Sequence, residues 1–277
     1  MDWRLHHGAL VPLTMPHAIP SLTSSETRAL CLEQKVLFVR WEVDFDIPKP
    51  SEWWHVVRDT PISMDELSAN TRSKIRRGIK RFVASPLAKR TLLEEGYDVY
   101  VRAYDRYATF ETMLSEPDFE NAIYELPSCT EFWGVRDRTD GRLVAFSENI
   151  VRDNACFYNS IWFEPEALKA YSGYALFYEM NRHYLNDRKM LYVSDGARSI
   201  SHQTEVHEFL ERKFGFRKVY ARLKIQYFPG IGLVVKALCP LRRLFKRFPN
   251  VMFFQQAFVL LEQERIRRAC KCPVAKE

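Results

Sequence analysis

The stretch from residue 131 to 228 constrains the fold most, because its hydrophobic period switches between two and 3.6 in a definite order. Glu131 to Arg136 (EFWGVR) reads as a strand, Thr139-Asp140-Gly141 as a hairpin turn, and Leu143 to Val151 (LVAFSENIV) as a second strand. Asp153-Asn154 is a turn, and Ala155 to Phe163 (ACFYNSIWF) a third strand. After Pro165 comes a helix from about Ser172 to Asn186, then a short apolar strand, Met190 to Ser194, ending at Asp195-Gly196. A helix over His202 to Phe214 closed by Gly215, and an alternating strand Val219 to Phe228, complete the series. A β-meander followed by alternating helices and strands implies an α/β (α+β) protein, with a mixed sheet flanked by helices.

Upstream, residues 1–30 read as an irregular lead-in with several prolines. Lys35 to Phe45 and Glu52 to Arg58 are strand candidates, separated by Pro48 and Pro50. Ser68 to Arg81 carries a strong helix signature: Ile75, Ile79 and Phe82 recur on one face, cations fill the rest, and Ser68 is placed to cap. Gly78 costs that helix about 1 kcal/mol against Ala, so it marks a place where something approaches closely. Leu92 to Phe110 is a longer helix with a stripe of Tyr97, Tyr100, Val101, Tyr104 and Ala108. Glu116 to Glu125 is a short helix around Phe119, Ile123 and Leu126. The expected division is a β-containing segment over 1–90 ending in the basic helix, a central domain over 91–230, and a basic, apolar helical extension over 231–277.

Charge is unevenly spread. Of the net +6, residues 71–90 contribute eight Lys/Arg and residues 228–248 five, neither with an acid, which leaves the rest of the chain at −7. Such blocks suit an anionic partner (a phosphate-rich cofactor, tRNA or a lipid surface), or they are two solvated helix faces. Ile231 to Phe248 mixes bulky apolar residues with cations, and Val251 to Leu261 continues it. That segment either docks on an anionic membrane, grips tRNA, or packs on the sheet as a helical pair broken at Pro240 and Pro249. No apolar run reaches the 18 or so residues of a membrane span, and residues 1–20 lack the apolar region of a signal peptide. With six scattered cysteines, the expected setting is a reducing cytoplasm, or the inner face of the membrane.

The order of elements over 131–228 resembles the GNAT acyltransferase fold. Three features carry this resemblance: Tyr171-Ser172-Gly173-Tyr174-Ala175 at the start of a helix, Glu205 to Phe216 (EVHEFLERKFGF) before the last strand, and the antiparallel pair 143–151 and 155–163. In that family a Gly-x-Gly/Ala loop holds the pyrophosphate of coenzyme A on helix-start N–H groups. The resemblance thus implies acyl-CoA as co-substrate, bound by Lys169, Ser172, Gly173, Tyr174 and Ala175, with Ala170 where the family usually has Gln or Arg. Leu67 to Val83 (LSANTRSKIRRGIKRFV) is similar to a helix of Fem-type aminoacyltransferases, which take an amino acid from aminoacyl-tRNA. This second resemblance implies aminoacyl-tRNA as the alternative donor, with Arg72, Arg76, Arg77 and Lys80 as anion-binding residues.

Acyl transfer to an amine needs a base, stabilisation of the oxyanion, and an acid for the leaving group. Glu148, mid-strand among Ala145, Phe146 and Ile150, is the candidate base; otherwise it points to solvent from a polar strand face. Asp195 stands at a strand's C-terminal end, where ligand-contacting residues gather, or merely makes a turn. Asn159 and Ser160 are candidates to orient substrate, and Tyr178 or Tyr184 to act as acid. No metal signature is present: Cys270-Lys-Cys272 lies in a tail, and His202 and His207 lack zinc-protease spacing. The expected activity is N-acyl transfer to a small molecule or cell-envelope amine, the rival being an inactive scaffold of the same fold that binds membrane or nucleic acid.

Overall fold

Thr23 starts the first long helix with a reciprocal cap: its hydroxyl accepts from the Glu26 N–H at 3.2 Å, and the Glu26 carboxylate accepts from the Thr23 N–H at 2.7 Å. That helix belongs to a stretch expected to be irregular. A computed structural model of the chain describes residues 2–6, 9–104, 112–200, 205–245 and 252–270. Its N-terminal elements are β1 (Trp3–His6), β2 (Ala9–Pro12), α1 (Ser24–Glu33), β3 (Phe38–Ile47), β4 (Trp53–Arg58), α2 (Ala69–Arg81) and β5 (Phe82–Leu87). Then follow α3 (Lys89–Tyr104), α4 (Glu116–Glu125), β6 (Thr130–Asp137), β7 (Leu143–Arg152), β8 (Ala155–Phe163), α5 (Pro165–Lys169) and α6 (Ser172–Asn181). A π-helical turn (Arg182–Asp187) leads to β9 (Tyr192–Ala197), α7 (Glu205–Phe214), β10 (Arg217–Tyr227), α8 (Ile231–Leu238), α9 (Arg242–Phe245) and α10 (Met252–Ala269).

The irregular lead-in is corrected. β1 and β2 are four residues each, too short to show alternation, and the apolar residues of α1 (Ala29 to Leu32) are consecutive instead of spaced by helical turns. β5 was hidden by Pro86. It is an edge strand paired with β6 alone, the position where a proline costs a sheet least. The helix expected over 92–110 starts three residues earlier and is described to Tyr104; Ala108 and Phe110 lie outside the described residues, as do His202 and Cys272.

Chain contacts separate two units: Met1–His55 with Ala197–Thr204 and Lys218–Glu277, and Val56–Gly196 with Glu205–Arg217. In the first, β2 pairs parallel with β3, and β3 pairs antiparallel with β10. Pleating sends Ala9 and Val11 to one face, with Phe38, Leu223, Ile225 and Ile266 of α10. Leu10, Val39 and Trp41 go to the other, with Cys31 of α1. Glu42, on the face of Phe38 and Leu223, accepts from Trp53 Nε1 at 2.9 Å and pairs with His55 Nε2 at 2.8 Å.

The second unit orders its strands β4-β9-β8-β7-β6-β5, antiparallel from β8 to β5 and parallel between β8 and β9. Asp153 and Asn154, both at positive φ (50° and 57°), make the tight turn between β7 and β8. One face carries α3 and α4, which bury Leu92, Tyr100 and Phe119 against Phe132 and Phe146. The other carries α6 and α7, where the rings of Phe177, Phe209 and Phe214 pack at a tilt with centroid distances of 5.6–6.0 Å. Arg58, 3% exposed, ties that face together: its guanidinium donates to the carbonyls of Phe214 and Pro61 at 2.6 Å each and pairs with Glu66.

Candidate active site

Glu148 sits on β7 opposite Phe132 of β6 and two residues from Phe146, so pleating places it on the face covered by α3 and α4. Its residue is 8% exposed. Across on β8 the register slips: Glu148 faces Ser160 and Asn149 faces Tyr158, which leaves Asn159 as the extra residue of a β-bulge. The bulge turns Asn159 towards the carboxylate, and its Nδ2 donates to Glu148 Oε2 at 3.3 Å. Ser160 shares the face with Trp162, whose ring meets Tyr100 edge-on at 4.7 Å. Three expected site residues thus converge: Glu148, Asn159 and Ser160.

Apolar neighbours decide the protonation of Glu148. Burial raises its pKa to about 7, offset in part by the Asn159 donor, which favours the charged form. It is therefore poised to take a proton near neutral pH. Beside it β8 opens. Ala155, Cys156 and Phe157 pair with Tyr192, Val193 and Ser194 of β9, and the pairing stops there although β8 runs on to Phe163. Residues 155, 156 and 158 are buried, whereas 159–162 are half-buried along this splayed length. Gly196 stands at the end of β9 with φ +86°, and a Cβ there would come within 2.8 Å of the Phe157 ring.

The opposite face holds another set. Ser147 and Asn149 flank Glu148 in sequence but point to α6: Asn149 Nδ2 lies 3.3 Å from Tyr184 Oη, which also accepts from Trp133 Nε1 at 3.0 Å and donates to Glu131 at 3.1 Å. Tyr184 is fully buried in this network, and burial drives its pKa far up. It holds the sheet together with no access to a substrate. Tyr178 is half-buried on α6, within electrostatic reach of Glu179, Arg182 and Asp65, and is not brought to Glu148. Asp195 lies on the α6–α7 face: His207 Nε2 stands 3.3 Å from its Oδ2 and 3.2 Å from its carbonyl oxygen. Burial pushes the Asp195 pKa up to about 8. Sequence reasoning passed over His207 because it measured His207 only against His202; nothing in the spacing ties it to Asp195, twelve residues away.

The basic helix α2 packs on the start of α6. Gly78 permits this: a Cβ there would lie 2.5 Å from the Tyr171 carbonyl oxygen, so the expected close approach is a neighbouring backbone. Arg77 sits 4.6 Å over the Tyr171 ring and donates to its hydroxyl at 3.2 Å, and Lys74 lies 5.4 Å over Tyr174. Arg76, Arg77 and Lys80 are exposed, while Arg72 folds back to the Leu67 carbonyl at 2.6 Å. On α6 itself Tyr171 adopts φ 75°, and Ser172, Gly173 and Ala175 are buried. A Cβ on Gly173 would meet Leu168 at 3.0 Å and Phe163 at 3.6 Å, and Ser172 Oγ is buried with no hydrogen-bond partner. Lys169 is exposed and pairs with Glu166 at 2.7 Å. Among the described residues no three His, Cys, Asp or Glu side chains converge on a point that would hold a metal.

No protein-family model matches the chain, and no curated protein matches it. Solved structures do. FemX is similar with a TM-score of 0.53 at 10% identity, over 80% of this chain and 79% of that one. The L-PGS from Bacillus licheniformis gives 0.49 at 12%, over 82% and 80%. The PaiA N-acetyltransferase of Thermoplasma acidophilum, in complex with coenzyme A, gives 0.31 at 18%, over 39% and 74%. The chain has a GNAT-like fold, similar to that of FemX: a mostly antiparallel mixed sheet flanked by helices. Among the described residues no helix is long and apolar enough to cross a membrane.

Proposed function

We propose that this protein is an N-acyltransferase in which Glu148 is the general base. The observation that carries the reading is the meeting of Glu148, Asn159 and Ser160 at a β-bulge, beside the splay of β8 from β9. The acceptor's nitrogen attacks the donor's acyl carbon, Glu148 takes the proton as the C–N bond forms, and the bond to the donor's oxygen or sulfur breaks. The opening between β8 and β9 is the passage by which an acyl group reaches the Glu148 face from the side of α6. In this reading Asp195, paired with His207 on that side, protonates the leaving group.

For the donor, aminoacyl-tRNA is the reading favoured by one specific feature, the exposed Arg76, Arg77 and Lys80 on α2 with no ion-pair partner among the described residues. Acyl-CoA is the second reading, supported by the unpartnered Ser172 hydroxyl at the start of α6. The acceptor is an amine on a small molecule or cell-envelope precursor. Thermal melting with acetyl-CoA, longer acyl-CoAs and charged tRNA tests this, since binding to the folded state raises the melting point by mass action. A shift with charged tRNA that the double variant K74E/R77E abolishes supports the first donor; a shift with acyl-CoA alone moves the assignment to the second. No shift with either would favour a scaffold that binds through its charges and catalyses nothing.

A further inference from the structure

The segment 231–245 presents an outward face of unusual composition. Val235 and Cys239, four residues apart and 3% and 6% exposed, point inward. Outward stand Leu233 (74% exposed), Val234 (54%), Leu241 (49%) and Leu244 (51%), with Lys236 and Arg243 among them. Thirteen large apolar side chains are exposed among the described residues, and four of them fall within the twelve positions from Leu233 to Leu244. Leu37, 53% exposed, lies next to them, since its carbonyl accepts from the Phe228 N–H at 2.9 Å just before α8. Scattered exposed leucines need no explanation, but a cluster of this kind does.

The charge around this face is of one sign. Residues 228–248 contain no acid. Two acids of α10 are already engaged: Glu262 pairs with Arg242 and Arg265, and Glu264, 2% exposed, with Arg267 and Arg268. Apolar side chains that can enter an acyl boundary, interspersed with cations in a segment without acids, match an anionic bilayer: burial holds the leucines while Lys and Arg meet lipid phosphates. Polynucleotide binding would use the cations but leave Leu233, Val234, Leu241 and Leu244 in water.

We propose that the α8–α9 face docks on an anionic lipid bilayer. The proposal is independent of the acyl-transfer reading, because none of its residues is placed in that site.

Co-sedimentation of the full chain with phosphatidylcholine vesicles, with and without phosphatidylglycerol, tests it. Binding is expected only with phosphatidylglycerol and is expected to weaken as salt rises. L241S/L244S should abolish it, and K236Q/R243Q should weaken partitioning by about fivefold per cation. L191S, an exposed leucine elsewhere, should change nothing, and unchanged melting would show that the variants fold. Absent or equal binding to both vesicle types would overturn the proposal. So would vesicle binding that survives both double variants, or loss in L241S/L244S of self-association or of tRNA binding with vesicle binding intact.

Discussion

Asn159 and Glu148 meet across a β-bulge, with the Asn159 amide donating to Glu148 Oε2 at 3.3 Å. The hydrogen bond stabilises the ionised carboxylate and so works against the burial that raises its pKa. N159A should therefore move the pKa of Glu148 further up. In the pH profile of kcat/KM, the acidic limb set by Glu148 should shift to higher pH, while activity at high pH persists. A limb that stays in place would separate Asn159 from the ionisation.

Glu148 also makes stability depend on pH. Its folded pKa, about 7, lies above the roughly 4.3 of an unfolded chain. Between those values the folded state binds more protons than the unfolded state, so stability is greatest at the acidic end and falls as pH rises through that window. E148Q removes the buried charge while keeping the shape. Its melting point should exceed that of the wild type by a few degrees at pH 8, and the difference should shrink towards pH 5. An E148Q protein less stable at pH 8 would mean that the carboxylate has a compensating partner.

Gly78 is a packing requirement of the α2–α6 contact. G78A places a methyl 2.5 Å from the Tyr171 carbonyl oxygen, and backbone cannot swing aside as a side chain can. The helix-propensity gain of about 1 kcal/mol is offset by a separation of helices costing about 1–3 kcal/mol. Urea unfolding should show a lower midpoint with an unchanged slope.

Lys74 and Arg77 give a test of donor charge. Both stand over the tyrosines at the start of α6, so K74E/R77E should raise KM for a polyanionic donor at least tenfold and leave kcat within a factor of two. For a tRNA donor the wild-type KM should also climb steeply with salt, and the double variant should flatten that dependence.

Residues 116–125 and 155–163 have the limits their apolar periodicity gives, and β7 ends one residue later than expected. The basic helix begins after Ser68, whose hydroxyl accepts from the Thr71 N–H. The site was legible in part. Glu148 stood out as a carboxylate inside an apolar strand, and its buried face follows from the strand's parity. The bulge at Asn159 was not legible, because it depends on how β8 registers with β7 and no local residue marks it. The pairing of His207 with Asp195 is a tertiary contact between a helix and a strand end. Tyr184 misled because a tyrosine donor in a core and one in a site carry the same sequence signal; only its contacts with Trp133, Asn149 and Glu131 tell them apart.

The most direct test of the account follows a labelled acyl or aminoacyl group from donor to a panel of amines, with wild type and E148Q, from pH 5 to 9. Wild-type transfer should fall below about pH 7 as Glu148 takes up its proton. E148Q should lose about 10²- to 10⁴-fold in rate while binding the donor as tightly as the wild type. An E148Q protein that transfers the group at the wild-type rate would contradict the assignment of Glu148 as the base.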